Sequence, residues 1–321
     1  MLVSFGGPEK REDVIPFLEN VLRGRNVPRD RLLAVAQHYY RFDGRSPIND
    51  QCRDLISALE KHGLGLPIYW GNRNWHPMLG DTVQRMRDDG IRRALAIATS
   101  AFGSYSGCRQ YREDIETARA AVSGAPDGWP EIDKLPPFWS HPGFIDTMVD
   151  RVREALAKLP GAAVVYTAHS IPVSMAQSSP YEAQLRDASK RVNQQLGLGE
   201  PVLVFQSRSG PPSQPWLEPD IADYIRRTES NQLVVVPIGF LSDHMEVIYD
   251  LDLEAAALAK ERGIEFVRAG TAGTHPRFVG GLGELVRDAM ANGVVPCAAD
   301  CCQPSVLHKP AQPVKSVVPL L

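Results

Sequence analysis

The stretch QLVVVPIGFLSDHMEVIYDLDLEAAAL, residues 232–258, passes from an uncharged apolar run into a segment carrying five acids. Its first part, QLVVVPIGF (232–240), is short, β-branched and apolar at successive positions. That pattern reads as a strand buried on both faces, as in a parallel sheet. On an α-helix, Asp243, Glu246, Asp250 and Glu254 of the second part fall within an arc of about 80°. Like charges four apart on an exposed helix disfavour each other by about 0.2–0.5 kcal/mol per pair. Two of these acids have a conventional explanation. Asp243 as N-cap with Glu246 at the third helical position is a capping-box-like start, favoured by the helix dipole. Asp250 and Glu254 are left over, and composition alone assigns them to a solvated face.

Outward from this stretch the same alternation continues. LVSF (2–5), PIYWG (67–71), RALAIATSA (93–101), AAVVYTA (162–168), VLVFQS (202–207) and IEFVRA (264–269) read as buried parallel strands. Segments of helical period separate them, among them DLISALEKH, FIDTMVDRVREALAKL and EAQLRDASKRVNQQL. Strand alternating with helix indicates an α/β fold with parallel sheets covered on both faces. A Pro- and Gly-rich stretch at 123–143 interrupts the alternation. It divides the chain into two Rossmann-like, doubly wound parallel-sheet domains. The N-terminal one spans 1–125 and is completed by 270–295; the second spans 140–270, and 296–321 is an irregular cysteine-bearing tail.

The 321 residues, 43% apolar and 23% charged, are those of an ordinary globular chain with a full core. A formal net charge of −3 provides no basic stripe for nucleic acid. No apolar run approaches the ~20 residues of a membrane span. MLVSFGGPEK lacks the basic start and long apolar middle of a signal peptide, so a cytoplasmic setting is expected. There, five cysteines with three in CAADCC (297–302) suggest metal or iron–sulfur ligation more than disulfides.

Open α/β sheets bind ligands beyond the carboxyl ends of their strands. His169 in TAHSIP (167–172) follows a strand directly and precedes Pro172, which disfavours immediate helix. A histidine there suits proton transfer near neutral pH, although a hydrogen bond to a loop carbonyl explains it as well. FGGP (5–8), LRGR (22–25) and GRSPIN (44–49) offer turn amides and Arg23 or Arg25 for a carboxylate or phosphate. They form neither a Walker loop nor a dinucleotide fingerprint. SAFGSYSGCRQYRED (100–114) mixes aromatics with Arg109 and Arg112, which suits a flat ligand with acidic substituents. QSRSGPPSQPWLEPD (206–220) supplies Trp216 as a cleft wall or as a helix anchor. One histidine base facing an acidic ladder suits passage of a hard or borderline cation together with removal of protons. Paired acids also serve glycoside hydrolysis, which would want aromatic platforms and two carboxylates flanking one bond.

Seven segments in order, LVSFGGP, RGRNVP, GRSPIN, SYSGCRQYRED, TAHSIPVSM, VFQSRSGPPSQPWLEPD and VVPIGFLSDHMEVIYDLDLEA, resemble the ferrochelatases, essentially from end to end. The VLVFQSRSGP and AHSIP forms, with a cysteine-bearing tail, resemble the actinobacterial-type branch. The resemblance implies insertion of Fe²⁺ into coproporphyrin III in haem biosynthesis, with protoporphyrin IX or a non-catalytic porphyrin carrier as alternatives. A cobalt-type chelatase for sirohydrochlorin is a further rival of the same fold. By the resemblance, His169 and Glu246 are catalytic and ligate the incoming iron. Ser46 and Tyr111 contact the tetrapyrrole's propionate edge, with Arg23 beside them, and Asp250 and Glu254 line an iron path. Phe5 stands where some relatives have a tyrosine able to coordinate iron, so no axial ligand is assigned there. A [2Fe–2S] cluster is implied on Cys297, Cys301 and Cys302, with Cys108 as fourth ligand in preference to Cys52. Implied partners are coproporphyrin III, Fe²⁺ and other haem-pathway enzymes.

Overall fold

A computed structural model describes residues 1–24, 27–122, 130–210 and 213–304. The first sheet contains β1 (Leu2–Ser4), β2 (Trp70–Asn72), β3 (Arg93–Ala98) and β4 (Glu131–Lys134), all parallel, in the order β2-β1-β3-β4. The second contains β5 (Ala163–His169), β6 (Val202–Gln206), β7 (Gln232–Val236) and β8 (Glu265–Arg268), in the order β6-β5-β7-β8, again parallel. Each sheet is thus wound second–first–third–fourth. A doubly wound sheet opens a crevice where that order reverses. In the second sheet the reversal lies between β5 and β7.

Helices α1 (Val14–Val21), α2 (Arg29–Tyr40), α3 (Ile48–Lys61), α4 (Leu79–Asp88) and α5 (Gln110–Ala121) accompany the first sheet. Along the second run α6 (Pro142–Lys158), α7 (Val173–Gln177), α8 (Tyr181–Leu196), α9 (Ile221–Arg227), α10 (Met245–Val247) and α11 (Ala256–Glu261). The last helix, α12 (Pro276–Asn292), packs along α6 and also touches α3. β5 and β7 are buried on both faces for a simple reason of parity. Val165, Val204 and Val235 point to Val247, Leu251 and Ile225, whereas Tyr166, Val234 and Val236 join a core with Phe144 and Phe278. That second core continues through Ile48 to Leu2 of the first sheet, so the two sheets share one apolar interior.

Three local features differ from the sequence pattern. The Pro- and Gly-rich stretch contains β4, whose sequence EIDK buries only Ile132 and so shows no strand signature. The capping box at Asp243 does not form. The helix starts at Met245 with His244 as an N-cap lacking a side-chain bond, and the Asp243 carboxylate instead pairs with Arg268 at 2.8 Å. Finally, Ile248–Ala255 is a π-helix, not a continuation of an α-helix. Its wider turns are closed by bonds between residues five apart, and they still leave Asp250 and Glu254, four apart, on neighbouring directions. Asp250 and Glu254 lie on the π-helix, while Glu246 precedes it on α10.

After β7 the chain turns back against β5 through Gly239, whose amide donates to the Thr167 carbonyl at 3.0 Å. A β-carbon at Gly239 would lie 2.6 Å from the Ala168 β-carbon and 2.7 Å from its α-carbon. Gly239→Ala is therefore expected to destabilise the fold by about 1–3 kcal/mol, the usual range for overpacking. A urea-denaturation midpoint equal to the wild type's would contradict this account of the turn.

Candidate active site

His169 is the last residue of β5, at the reversal point of the second sheet. Its Nδ1–H donates to the Ser170 carbonyl at 2.5 Å, and its own carbonyl accepts from the Tyr181 hydroxyl at 3.1 Å. The ring is thereby fixed with Nε2 toward the cleft, 3.6 Å from Glu246 Oε2. Burial pulls the His169 pKa down, but the Glu246 carboxylate and the Ser170 carbonyl outweigh it, and the net shift is upward. For Glu246, burial alone would favour the neutral acid. The neighbouring His169 and His244 reverse this and hold the carboxyl at about 2.

One turn further on, Asp250 has the opposite fate. Burial raises its pKa to about 7 despite a hydrogen bond from Ser207, with the charges of Glu246 and Glu254 adding to the rise. Gln206 Nε2 also approaches Asp250 Oδ2, at 3.4 Å. Ser207 holds its hydroxyl there with a backbone φ of 61°, a left-handed conformation uncommon for a non-glycine residue. At neutral pH the ladder thus pairs a fully ionised inner acid with one that exchanges protons readily. Glu254, at the outer end, accepts from Tyr249, whose ring stacks on His38 of α2 at 4.0 Å and 7°. Among the described residues, no group of three or more His, Cys, Asp or Glu stands close enough to hold a single metal ion.

The facing wall comes from the first sheet. Phe5, just after β1, is partly exposed and lies edge-on to Phe17, which in turn meets Tyr39 and Trp75. Tyr39 is close enough to Glu246 that, after burial, this acid is the second cause of its raised pKa. Ser46 is buried against Gly7, and its amide donates to the Pro8 carbonyl. Tyr111 is likewise covered: the Arg73 guanidinium lies 4.7 Å from its ring centroid and 5.9 Å from that of Phe5. Arg23 is exposed and donates to Asn20 Oδ1 at 2.5 Å; Arg25 lies outside the described residues. Trp216 bridges to Pro172, beside the His169 loop. The structure therefore gathers His169, Glu246, Asp250 and Glu254 into one row and leaves Ser46 and Tyr111 beneath the opposite wall.

Four cysteines meet away from this row. Cys108, on a π-helical turn at Tyr105–Arg109, contacts the Cys302 thiol, and Cys301 Sγ is 3.4 Å from Cys302 Sγ. Cys297 feels the charges of Cys108 and Cys301. The contact with Cys302, assisted by Lys134 and Arg112, lowers the Cys108 pKa to about 6, while Cys302 is raised in return. Arg109 anchors the cysteine loop by donating to the Ala299 and Cys301 carbonyls at 2.9 and 3.1 Å. Cys52 is elsewhere, on the buried face of α3 and bonded to Ser4.

Sequence reasoning passed over His244, Ser207, Tyr39 and Arg73. Ser207 was signalled by its position immediately beyond β6, and His244 by its place in the segment that leads from β7 to Glu246. Tyr39 and Arg73 carry no local signal, since each acquires its place only when distant segments pack. A separate, largely apolar cavity of about 590 Å³ lies at the amino ends of β1 and β3, bordered by Leu2, Leu95 and Val286, and none of the row borders it.

The family model described as Ferrochelatase matches residues 1–290. A ferrochelatase of Rhodopirellula baltica is 51% identical, the alignment covering 98% of this chain and 94% of the relative. Coproporphyrin III ferrochelatases of Streptomyces coelicolor and Mycolicibacterium smegmatis are each 48% identical, covering 93% and 92% of this chain and 88% and 90% of theirs. Among solved structures, CbiX, a terminal enzyme of sirohaem biosynthesis in denitrifying bacteria, superposes with a TM-score of 0.56 at 15% identity, over 90% of this chain and 97% of its own. The sirohydrochlorin chelatase SirB of Bacillus subtilis, in complex with cobalt, gives 0.53 at 12% identity, over 76% and 90%. These two show the two-domain α/β fold.

The electrostatics of the row can be checked directly. Glu246→Gln removes the group that opposes burial at His169 and one that raises Asp250. Both pKa values should fall in an NMR titration of the variant. A His169 titration that stays in place would show that Glu246 is not its partner.

Proposed function

The chain belongs to the ferrochelatase family, and we propose from that premise that it inserts Fe²⁺ into coproporphyrin III, forming the iron porphyrin of a haem-synthesis route and releasing two protons. The observation carrying this reading is His169 Nε2 facing Glu246 at 3.6 Å, with the partly protonated Asp250 one turn beyond. Metallation replaces two pyrrole N–H bonds by bonds to iron, so the cleft must deliver a dication and remove two protons. His169 Nε2 is free of the Ser170 carbonyl and takes a pyrrole proton, and the resulting imidazolium is paired by Glu246. Glu246, Asp250 and Glu254 pass the cation inward and protons outward. Asp250 is suited to the second task because its pKa of about 7 lets it both accept and release a proton at neutral pH. A flat macrocycle presents its nitrogen lone pairs poorly. Phe5 and Tyr39, backed by the buried Phe17 ring, would hold the ring distorted toward the transition state.

In this reading exposed Arg23 addresses a propionate, buried Ser46 supports the Gly7 turn beneath the ring, and Tyr111 acts through Arg73, which lies over both the Tyr111 and Phe5 rings. A setting in the cytoplasm agrees with a cysteine group given to iron–sulfur ligation and not to disulfides. No helix among the described residues is long and apolar enough to cross a membrane. Enzymes that supply the porphyrin and consume its iron form are the natural partners.

A [2Fe–2S] cluster on Cys108, Cys297, Cys301 and Cys302 is supported by the contact of Cys108 with Cys302 and by the 3.4 Å between the Cys301 and Cys302 sulfurs. Bound there, a cluster would add a one-electron centre and tie Cys108 to the C-terminal loop; no step of insertion runs through it. The isolated protein should then carry iron and acid-labile sulfide in equal amounts with visible charge-transfer absorption, both lost in Cys302→Ser. Protein containing neither would refute the cluster.

Insertion itself is read from the loss of metal-free coproporphyrin fluorescence on adding Fe²⁺ without oxygen. His169→Ala should lower the rate by about 100-fold or more while porphyrin affinity changes little. Given equal amounts of coproporphyrin III and protoporphyrin IX, the wild-type chain should metallate the tetracarboxylate first. Wild-type turnover in the variant would remove His169 from the chemistry, and the reverse preference would reassign the substrate.

A further inference from the structure

We propose that Gln51 is a positioning residue of this site, reaching across from the first half of the chain to hold the segment that carries Glu246. The proposal rests on the reading of His169 and Glu246 as iron-handling residues. Gln51 lies on α3 between Ile48, Cys52 and Leu55, all buried, so its backbone is firmly seated. Its side-chain amide meets both main-chain groups of one residue on the other half. Nε2 donates to the Asp243 carbonyl at 3.2 Å, and Oε1 accepts from the Asp243 amide at 2.7 Å. A single side chain thus supplies the paired bonds that a neighbouring strand would give, to a residue lying outside any strand.

Asp243 stands three residues before Glu246. Its carboxylate is held from the second sheet, by Arg268 of β8, which also binds Asp252 of the π-helix. The backbone of Asp243 therefore answers to the first half of the chain and its side chain to the second. A further bridge lands just past Glu246, where His38 of α2 stacks on Tyr249. Two contacts from the N-terminal half thus bracket Glu246, whereas His169 is fixed within the second sheet by Ser170 and Tyr181. The separation of His169 from Glu246 consequently depends on how the two halves sit. Gln51 is the polar link that transmits this, and displacements near 1 Å in such a site are enough to cost about 100-fold in rate.

The test uses the full chain with Gln51→Ala and Gln51→Glu. Glutamate keeps the shape and one acceptor but presents an ionised oxygen, not an N–H, to the Asp243 carbonyl. Positioning predicts that both variants lose about tenfold in kcat. The melting temperature and coproporphyrin affinity should stay close to wild type. The ring-nitrogen NMR shift of His169 should move in both, which reads the displacement of Glu246 without any turnover. An unchanged His169 shift overturns the proposal. So does wild-type kcat in Gln51→Glu, or a loss of kcat that merely follows a fall in melting temperature and porphyrin affinity. A wild-type chain that binds coproporphyrin but never metallates it would instead sink the functional reading, and the NMR arm would still decide the role of Gln51.

Discussion

Parallel pairing of β5 with β7, in the register Val165 to Val235 and Tyr166 to Val236, is the constraint on which the site depends. It brings the end of β5 beside the turn after β7, and the close approach of Gly239 to Ala168 lets that turn fold back without a side chain in the way. His169 then leaves one strand and the loop to Glu246 leaves the other, at the point where the winding order of the sheet reverses. Neither residue needs a long arm to reach its partner. The apolar burial of Val165, Val234, Val235 and Val236 stabilises the pairing, so the geometry of the polar site is held by contacts that take no part in its chemistry.

The π-helix is where local and global demands diverge. On the π-helix from Ile248, half-buried Asp250 lies beside Ser207, while Glu254 accepts from Tyr249, whose ring stacks on His38. Wide turns of this kind are rare and concentrate at functional sites. The backbone strain at Ser207 belongs to the same arrangement, since its left-handed conformation aims the hydroxyl at the one acid that burial would otherwise leave without a donor from its own helix.

Much of this was legible because it was written in short-range pattern. Seven of the eight strands announce themselves as apolar runs, and His169 by its place between a strand and a proline. Strand β4 was not legible, because one buried isoleucine among EIDK makes no pattern. The π-helix was hidden because i and i+4 acids suit either helix type, and the capping box was a local solution displaced by Arg268. What sequence reasoning missed altogether acts across long separations. Gln51 and Asp243 are 192 positions apart, and Arg109 reaches carbonyls 190 and 192 positions away. Such contacts depend on the docking of the two halves, for which the chain carries no periodic signal.

The opposed acids also set what the site costs the fold. Glu246, held at about 2, binds fewer protons than the same residue in the unfolded chain, so across the ordinary carboxylate range it adds stability as pH rises. Asp250, raised to about 7, does the reverse: above the ordinary carboxylate range the unfolded chain has released a proton that the folded one keeps, and stability falls until pH passes its folded value. His169, shifted upward, likewise loses its contribution as pH rises through its folded pKa. Near neutrality Glu246 at the reacting end of the row is therefore settled as a carboxylate, while the next position carries the energetic burden. That division suits a site that must keep one carboxylate permanently charged for a dication and another poised to trade protons. It also explains why the burden falls on Asp250, which is flanked by the deep apolar contacts of Val247 and Leu251 that can offset it.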